Sequence, residues 1–163
     1  MISPLYAANN LIRRANEQAI NLTSLKLQKL LYLLYTMYLY NTDESLFPDR
    51  FEAWQYGPVL TDIYNIFKIE GSNPITEMRP DGNGRILIVS EKGIFGDIFD
   101  NVWTKYARES AFFLVTLTHG ESNSSYKTAW RKAVDRYKGE FGAFLEDDDI
   151  KKDGEFWFGK RSN

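Results

Sequence analysis

The stretch Leu25 to Tyr40, LKLQKLLYLLYTMYLY, decides how the rest of the chain must fold. Its apolar residues recur at the i, i+3, i+4 and i+7 spacing of an amphipathic helix, but other apolar side chains fill the remaining faces after the first turn. A helix that is hydrophobic nearly all round is typical of a core helix surrounded by neighbours. The sequence therefore predicts a central buried helix over about 25–40.

Length and composition favour one domain over 1–163, with 139–163 as a candidate for a loosely packed C-terminal tail. The net charge is -2 and the sequence pI about 5.5, so nothing in the charge balance favours non-specific binding to nucleic acid or an anionic membrane. The absence of Cys excludes disulfides and thiolate catalysis and fits a cytoplasmic protein. The apolar run 30–40 is shorter than the ~20 residues that cross a bilayer.

The remaining sequence predicts a mainly α (α+β) domain, a compact set of helices around the central one with a short β-hairpin. Ser3 and Pro4 favour the start of a first helix, as N-cap and first helical residue. Residues 51–54 are typical of a short strand or extended segment. Ile75 to Val89 is interpreted as a β-hairpin, because β-branched residues flank a Gly- and Asn-rich turn. The other predicted helices cover 58–70, 90–106, 109–117 and 126–137.

Few residues are candidates for chemistry. His119 is the single histidine; it is either a general base or, as we favour, a structural residue that closes a helix. The acidic run 146–149 lacks the alternating ligands and central Gly of a calcium loop and is interpreted as a solvated or partner-facing patch. Phe156 to Phe158 either dock on the domain or remain available to a partner. No metal site is predicted.

Two stretches, Leu25 to Tyr32 (LKLQKLLY) and Phe51 to Val59 (FEAWQYGPV), resemble the Panacea-domain antitoxins, which include SocA-like and GepA-like phage-associated proteins. They occur in the same order and at about the same separation as in that family. Leu117 to His119 resembles the family's Leu-Thr-His segment. Trp130 to Ala133 resembles its Trp-x-x-Ala segment, although Ala129 replaces the usual Pro before the Trp.

The resemblance implies an antitoxin that binds and inactivates a cognate protein toxin encoded by the adjacent gene, typically on a prophage or other mobile element. It implies neither an enzyme nor a cofactor. One alternative is an adaptor that delivers the bound toxin to a cellular protease. Some relatives carry a DNA-binding helix-turn-helix ahead of this domain, and since the first helix begins at about Ser3 we expect no direct DNA binding. A small hydrolase or a nucleic-acid-binding module is the alternative of another class.

Residue type divides the motif residues into two groups. The polar and aromatic residues are candidates for toxin binding, because Trp and Tyr are common interface anchors and Lys and Gln offer polar contacts. The candidates are Lys26, Gln28, Lys29, Trp54, Gln55 and Tyr56. The residues expected to support the fold are Leu27, Leu30, Leu31, Tyr32, Gly57, Pro58, His119 and Trp130. For the lysines and Gln28 a solvated surface, and for Trp54 a place in the core, are the alternatives.

Overall fold

The computed structural model describes residues 1–159 and is mainly α-helical, which confirms the predicted fold class. Over those residues the chain forms seven α-helices and a small antiparallel sheet. The helices are α1 (Pro4–Glu17), α2 (Ser24–Thr42), α3 (Thr61–Phe67), α4 (Gly93–Tyr106), α5 (Ala111–His119), α6 (Ala129–Arg136) and α7 (Asp147–Phe158). The strands are β1 (Glu52–Trp54), β2 (Gly57–Val59) and β3 (Ala143–Phe144), and a single 3₁₀ turn, Lys68–Glu70, follows α3.

The helix α2 lies at the centre of the domain, as predicted. Thr23 is its N-cap, and the Thr23 side chain accepts a hydrogen bond from the Lys26 N–H (3.2 Å). Every residue over 26–37 is buried, because α1, α4, α5 and α7 pack around this helix. Among residues 1–159, no helix combines the length and the hydropathy that crossing a membrane requires.

Residues 75–89 do not form the predicted hairpin, since the structure has no strand in this segment. Instead, the completely buried side chain of Asn9, on α1, forms hydrogen bonds with backbone groups of this segment. Asn9 accepts from the Arg79 N–H (2.9 Å) and donates to the carbonyls of Arg79 (3.0 Å) and Leu87 (2.9 Å). One side-chain amide thus holds both arms of the segment against α1.

The neighbouring Asn10 binds the second arm in the same way. Its buried amide accepts from the Val89 N–H (2.8 Å) and donates to the Val89 carbonyl (2.8 Å). Strands exchange such backbone hydrogen bonds with each other, whereas here the arms exchange them with α1. The strand propensity of this segment is therefore overridden by tertiary hydrogen bonds.

The sheet forms elsewhere, from three very short strands. β1 lies between β2 and β3 and is antiparallel to both, with Ala53 opposite Pro58 on one side and Ala143 on the other. β1 confirms the predicted extended segment. Gly57 and Pro58 belong to β2, so the helix predicted over 58–70 begins only at Thr61.

The C-terminal helix α7 packs closely against α2, so the interpretation of 139–163 as a loosely packed tail is wrong for this helix. A Cβ on Gly154 would lie 2.6 Å from the Cβ of Tyr40, which shows how closely the two helices approach. The ring of Trp157 meets Tyr32 edge-on at 6.2 Å. Trp157 and Phe158 therefore pack against the core, whereas Phe156 is 58% exposed. Residues 160–163 lie outside the described part of the chain.

Candidate functional site

The sequence motifs, although far apart in the chain, meet around the β1–β2 hairpin. The Lys29 ammonium, on α2, donates to the Pro58 carbonyl (2.9 Å). Gln28 accepts from the Leu60 N–H (2.9 Å) and donates to the Leu60 carbonyl (3.0 Å). These side-chain bonds attach the strand β2 and its exit to the first two turns of α2.

Gly57 lets α2, β2 and α5 approach one another closely. A Cβ at this position would lie 2.7 Å from Lys29 Cε and 2.9 Å from Thr118 Oγ1, and the glycine φ is +112°. Both the space and the backbone conformation therefore require glycine. The structural role expected for Gly57 rests on these two constraints.

Lys29 and Gln28 are buried, with 0% and 2% of their surface exposed, respectively. They leave almost no surface for direct contact with a partner, so their burial counts against the predicted contact with a toxin, which stays a prediction. Burial lowers the pKa of Lys29 to about 7, because the charged ammonium loses its hydration. Both residues instead hold the hairpin against α2.

His119 and Trp130 pack together beside the hairpin, which Trp130 contacts. Their rings stack with centroids 3.9 Å apart, and Trp130 Nε1 donates to the Trp54 carbonyl (2.7 Å). Burial, and then the positive charges of Lys29 and Arg131, lower the pKa of His119, so the imidazole is neutral at pH 7. The histidine closes α5 and stacks on the core, as the structural interpretation predicts.

A mainly apolar groove of about 460 Å³ lies beside the hairpin. We name it the aromatic groove; its walls include Ser24, Leu25, Trp54, Tyr56, Tyr64 and Lys68. The rings of Trp54 and Tyr64 meet edge-to-face at 4.8 Å. Tyr56 lies at the turn of the hairpin with 58% of its surface exposed. An exposed tyrosine beside an apolar groove is the kind of surface that interfaces use.

The structure separates the predicted toxin-binding residues into three places. Trp54, Gln55 and Tyr56 all line the aromatic groove, and Gln55 and Tyr56 are exposed. Gln28 reaches its floor, Lys29 lies inside the domain, and Lys26 lines a different cleft on the other side of the same helical turn. Only the hairpin residues thus remain candidates for direct contact through the groove.

Sequence reasoning missed the groove residues on α2 and α3. The spacing of Ile63, Tyr64 and Phe67 predicts that Tyr64 shares the buried face of its helix, but 37% of its surface is exposed. Ser24 precedes the hydrophobic run and Leu25 begins it, and neither residue type indicates an interface. They become part of the groove because side-chain hydrogen bonds attach β2 to α2. The spacing of residues in the sequence does not predict these bonds.

The acidic run begins α7 and is occupied by contacts within the domain. Asp147 accepts from the Tyr35 hydroxyl (2.8 Å), and Asp149 pairs with Lys132 and Arg136, each at 3.3 Å. Carboxylates in the first turn also complement the helix dipole. Over residues 1–159, no group of three or more His, Cys, Asp or Glu residues is arranged to hold a metal ion.

Fold and site define a mainly α-helical domain in which one buried helix anchors a small hairpin and an aromatic groove. The model of the "Antitoxin SocA-like, Panacea domain" family matches residues 27–124, and the chain belongs to this family. The chain is also 38% identical over 64 residues to "Antitoxin SocA" of Caulobacter vibrioides (strain NA1000 / CB15N). That similarity covers 39% of this chain and 34% of the relative, so it spans about a third of the relative's length. No solved structure matches the chain significantly.

Proposed function

We propose that this chain is an antitoxin that neutralises a protein toxin, encoded by the adjacent gene, by direct stoichiometric binding through the aromatic groove. Family membership supports the antitoxin role. The single observation that favours this surface is Tyr56, a motif residue that is 58% exposed while the residues after it are buried. Binding through a fixed surface requires neither a cofactor nor a catalytic group.

The groove has the composition of an interface centre. Trp54 and Tyr64 supply rigid apolar area, and the backbone beneath them is fixed by Trp130 and by Gln28. A preorganised surface loses little conformational freedom when it binds. Ile69, in the 3₁₀ turn after α3, is 86% exposed and extends the apolar surface next to Lys68. A stable complex buries ~1,200–2,000 Å² in total, so the partner must reach beyond the groove itself.

Co-expression tests the proposal directly. The adjacent gene expressed alone should arrest growth, and this chain should restore growth and be recovered with the gene product in a one-to-one complex. A neighbour that is harmless, or rescue without any complex in a pull-down, would contradict sequestration. Rescue that disappears in a host lacking a protease, with the complex still formed, would instead favour the adaptor alternative.

Replacing Tyr56 with alanine is expected to weaken toxin binding by about 30-fold, since a central tyrosine contributes ~2 kcal/mol or more to an interface. The stability of the free chain should change little, because the side chain is mostly exposed. Binding is measured by titration calorimetry and stability by urea denaturation. The matched control is Tyr137→Ala, which removes a 49% exposed tyrosine outside the groove. Equal affinity for both variants would exclude Tyr56 as an anchor.

Replacing His119 with glutamine is expected to leave neutralisation intact at normal protein levels. The imidazole stacks on Trp130 and closes α5, so we expect its role to be in packing. A modest fall in stability, about 1 kcal/mol, should accompany the loss of the ring stack. Growth rescue and thermal denaturation are the two measurements. Lost neutralisation by a folded, toxin-binding variant would indicate a catalytic histidine.

A further inference from the structure

The first turns of α2 and α5 face each other across a cleft of about 400 Å³. We name it the basic cleft; it is lined by Thr23, Lys26, Arg108, Glu109 and Ser110, among others. Thr23 caps α2, and Ser110 caps α5 by accepting from the Phe113 N–H (3.0 Å). A helix start presents free N–H groups and a partial positive charge, so two such starts favour an anion between them.

Lys26 adds a second and independent feature. Only 7% of the residue's surface is exposed, but its ammonium reaches the surface of the cleft, and among residues 1–159 no hydrogen bond or ion pair of that ammonium is found. It occupies the third position of α2, where a positive charge opposes the helix dipole. Burial lowers the pKa of Lys26, whereas the charge of Glu109 raises it. The stem of Lys26 is thus buried, and its ammonium stays at the cleft surface near the start of α2, where a positive charge is unfavourable.

The charges around the cleft do not balance. Lys26 and Arg108 contribute two positive charges, and Glu109 is the single carboxylate among the described lining residues. Glu109 would oppose an incoming anion, but the two cations and two helix starts outweigh it. An unpaired cation in a cleft of this size is suited to a carboxylate or phosphate oxygen.

The basic cleft adjoins the aromatic groove. Thr23 and Lys26 line the cleft, while Ser24 and Leu25 line the groove, so one helical turn separates the two. A single segment of a partner that crosses this turn can reach both. This continuity favours a protein carboxylate over a free small anion, because the same bound partner supplies both contacts.

We propose that the basic cleft receives an Asp or Glu side chain of the toxin, while an apolar residue of the same partner occupies the aromatic groove. The carboxylate oxygens would accept from the Lys26 ammonium and from free N–H groups at the two helix starts. The inference rests on the proposed function, and it assigns to Lys26 the part of the toxin contact that Gln28 and Lys29 cannot provide.

The test compares Lys26→Gln with Lys92→Gln, which removes the same charge from an exposed lysine that does not line the cleft. Lys26→Gln is expected to weaken toxin binding by about 10-fold or more and to reduce its dependence on salt, since one charged partner of a buried pair is lost. Lys92→Gln should bind like the wild type. The free Lys26→Gln chain should be as stable as the wild type or more stable, because a poorly placed charge is removed.

Four results would count against the inference. If wild-type chain and toxin form no complex, the proposed function fails and the cleft assignment fails with it. If the wild type binds and the two glutamine variants bind equally well, only the cleft assignment fails. Calorimetric titration with inorganic phosphate provides the third: phosphate binding that requires Lys26, with unchanged toxin affinity in Lys26→Gln, would identify a small-anion site. A less stable free Lys26→Gln chain would also count against the assignment, by indicating a structural lysine.

Discussion

Replacing Gly57 with alanine should destabilise the folded chain by about 4 kcal/mol, enough to unfold a marginally stable domain. Two costs combine at this position. The φ of +112° is unfavourable for any residue with a Cβ, and the added methyl would lie 2.7 Å from Lys29 Cε and 2.9 Å from Thr118 Oγ1. Urea denaturation followed by circular dichroism gives the loss directly.

Two other glycines separate these costs. Gly84 also has a positive φ, +76°, but a Cβ there meets nothing within 4 Å, so Gly84→Ala should show the backbone cost alone, about 1–2 kcal/mol. A Cβ at Gly82 likewise meets nothing, and its φ lies outside the unfavourable range, so Gly82→Ala should be close to neutral. A Gly57→Ala loss no larger than that of Gly84→Ala would show that the packing of Lys29 and Thr118 is not restrictive.

Gly57→Ala should also change the position of the hairpin beside the aromatic groove. The methyl would push Lys29 away from Pro58 and loosen the tie between β2 and α2. The hairpin turn that carries Tyr56 depends on this tie. If a small amount of folded variant is recovered, its toxin affinity should fall even though Gly57 itself is buried.

The contrast between α2 and the segment 75–89 shows what the sequence could predict. The all-round hydrophobicity of α2 is a property of its own residues, so the pattern suffices to predict its burial. The segment 75–89 carries equally clear β signals, but Asn9 and Asn10 take its backbone hydrogen bonds from α1. Such side-chain amides are some 70 residues away in the chain, and no local pattern reports them.

The candidate site likewise contains residues whose position the sequence predicts and residues whose position it does not. Trp54 to Tyr56 could be nominated from residue type and the family motif, and the structure places them on one groove. The buried position of Lys29 could not be predicted, because lysine is rarely buried and its burial here depends on the space that Gly57 leaves. The strands of two or three residues are likewise too short to show a period-two pattern.

Replacing Asp153 with alanine should cost about 3 kcal/mol, because this buried carboxylate joins three elements. It accepts from the hydroxyls of Tyr32 on α2 (3.0 Å) and Tyr126 (2.6 Å), and from the Ala129 N–H at the start of α6 (3.1 Å). Alanine would leave these donors without an acceptor in the interior, at ~1–3 kcal/mol each, offset in part by removal of a buried charge. Thermal denaturation of the purified variant measures the loss.

Asparagine is the matched control for this position. Asp153→Asn keeps the size of the side chain and one carbonyl oxygen, so it should lose less stability than Asp153→Ala. The pKa values of both Tyr32 and Tyr126 are raised, above all by burial, so the two hydroxyls remain donors at neutral pH. Equal losses for the two variants would show that the hydrogen bonds contribute little and that volume alone matters.

The buried carboxylate of Asp153 should also make the stability of the chain depend on pH. Burial raises the pKa of Asp153 from 3.8 to about 6, although its hydrogen bonds with Tyr126, Ala129 and Tyr32 and the charge of Lys132 on α6 act in the opposite direction. The folded chain therefore binds the Asp153 proton more tightly than the unfolded chain. This proton therefore contributes about 3 kcal/mol to the free energy of unfolding. The contribution is fully present below pH 3.8 and is lost as the pH rises through about 6.

Two other carboxylates, Glu91 and Asp81, have lowered pKa values. Their contributions change in the opposite direction, because they are lost as the pH falls. The difference in unfolding free energy between the wild type and Asp153→Asn cancels them. As the pH is lowered from about 7 to 4.5, the wild type should become more stable relative to Asp153→Asn. If the difference does not change with pH, Asp153 is ionised throughout this range.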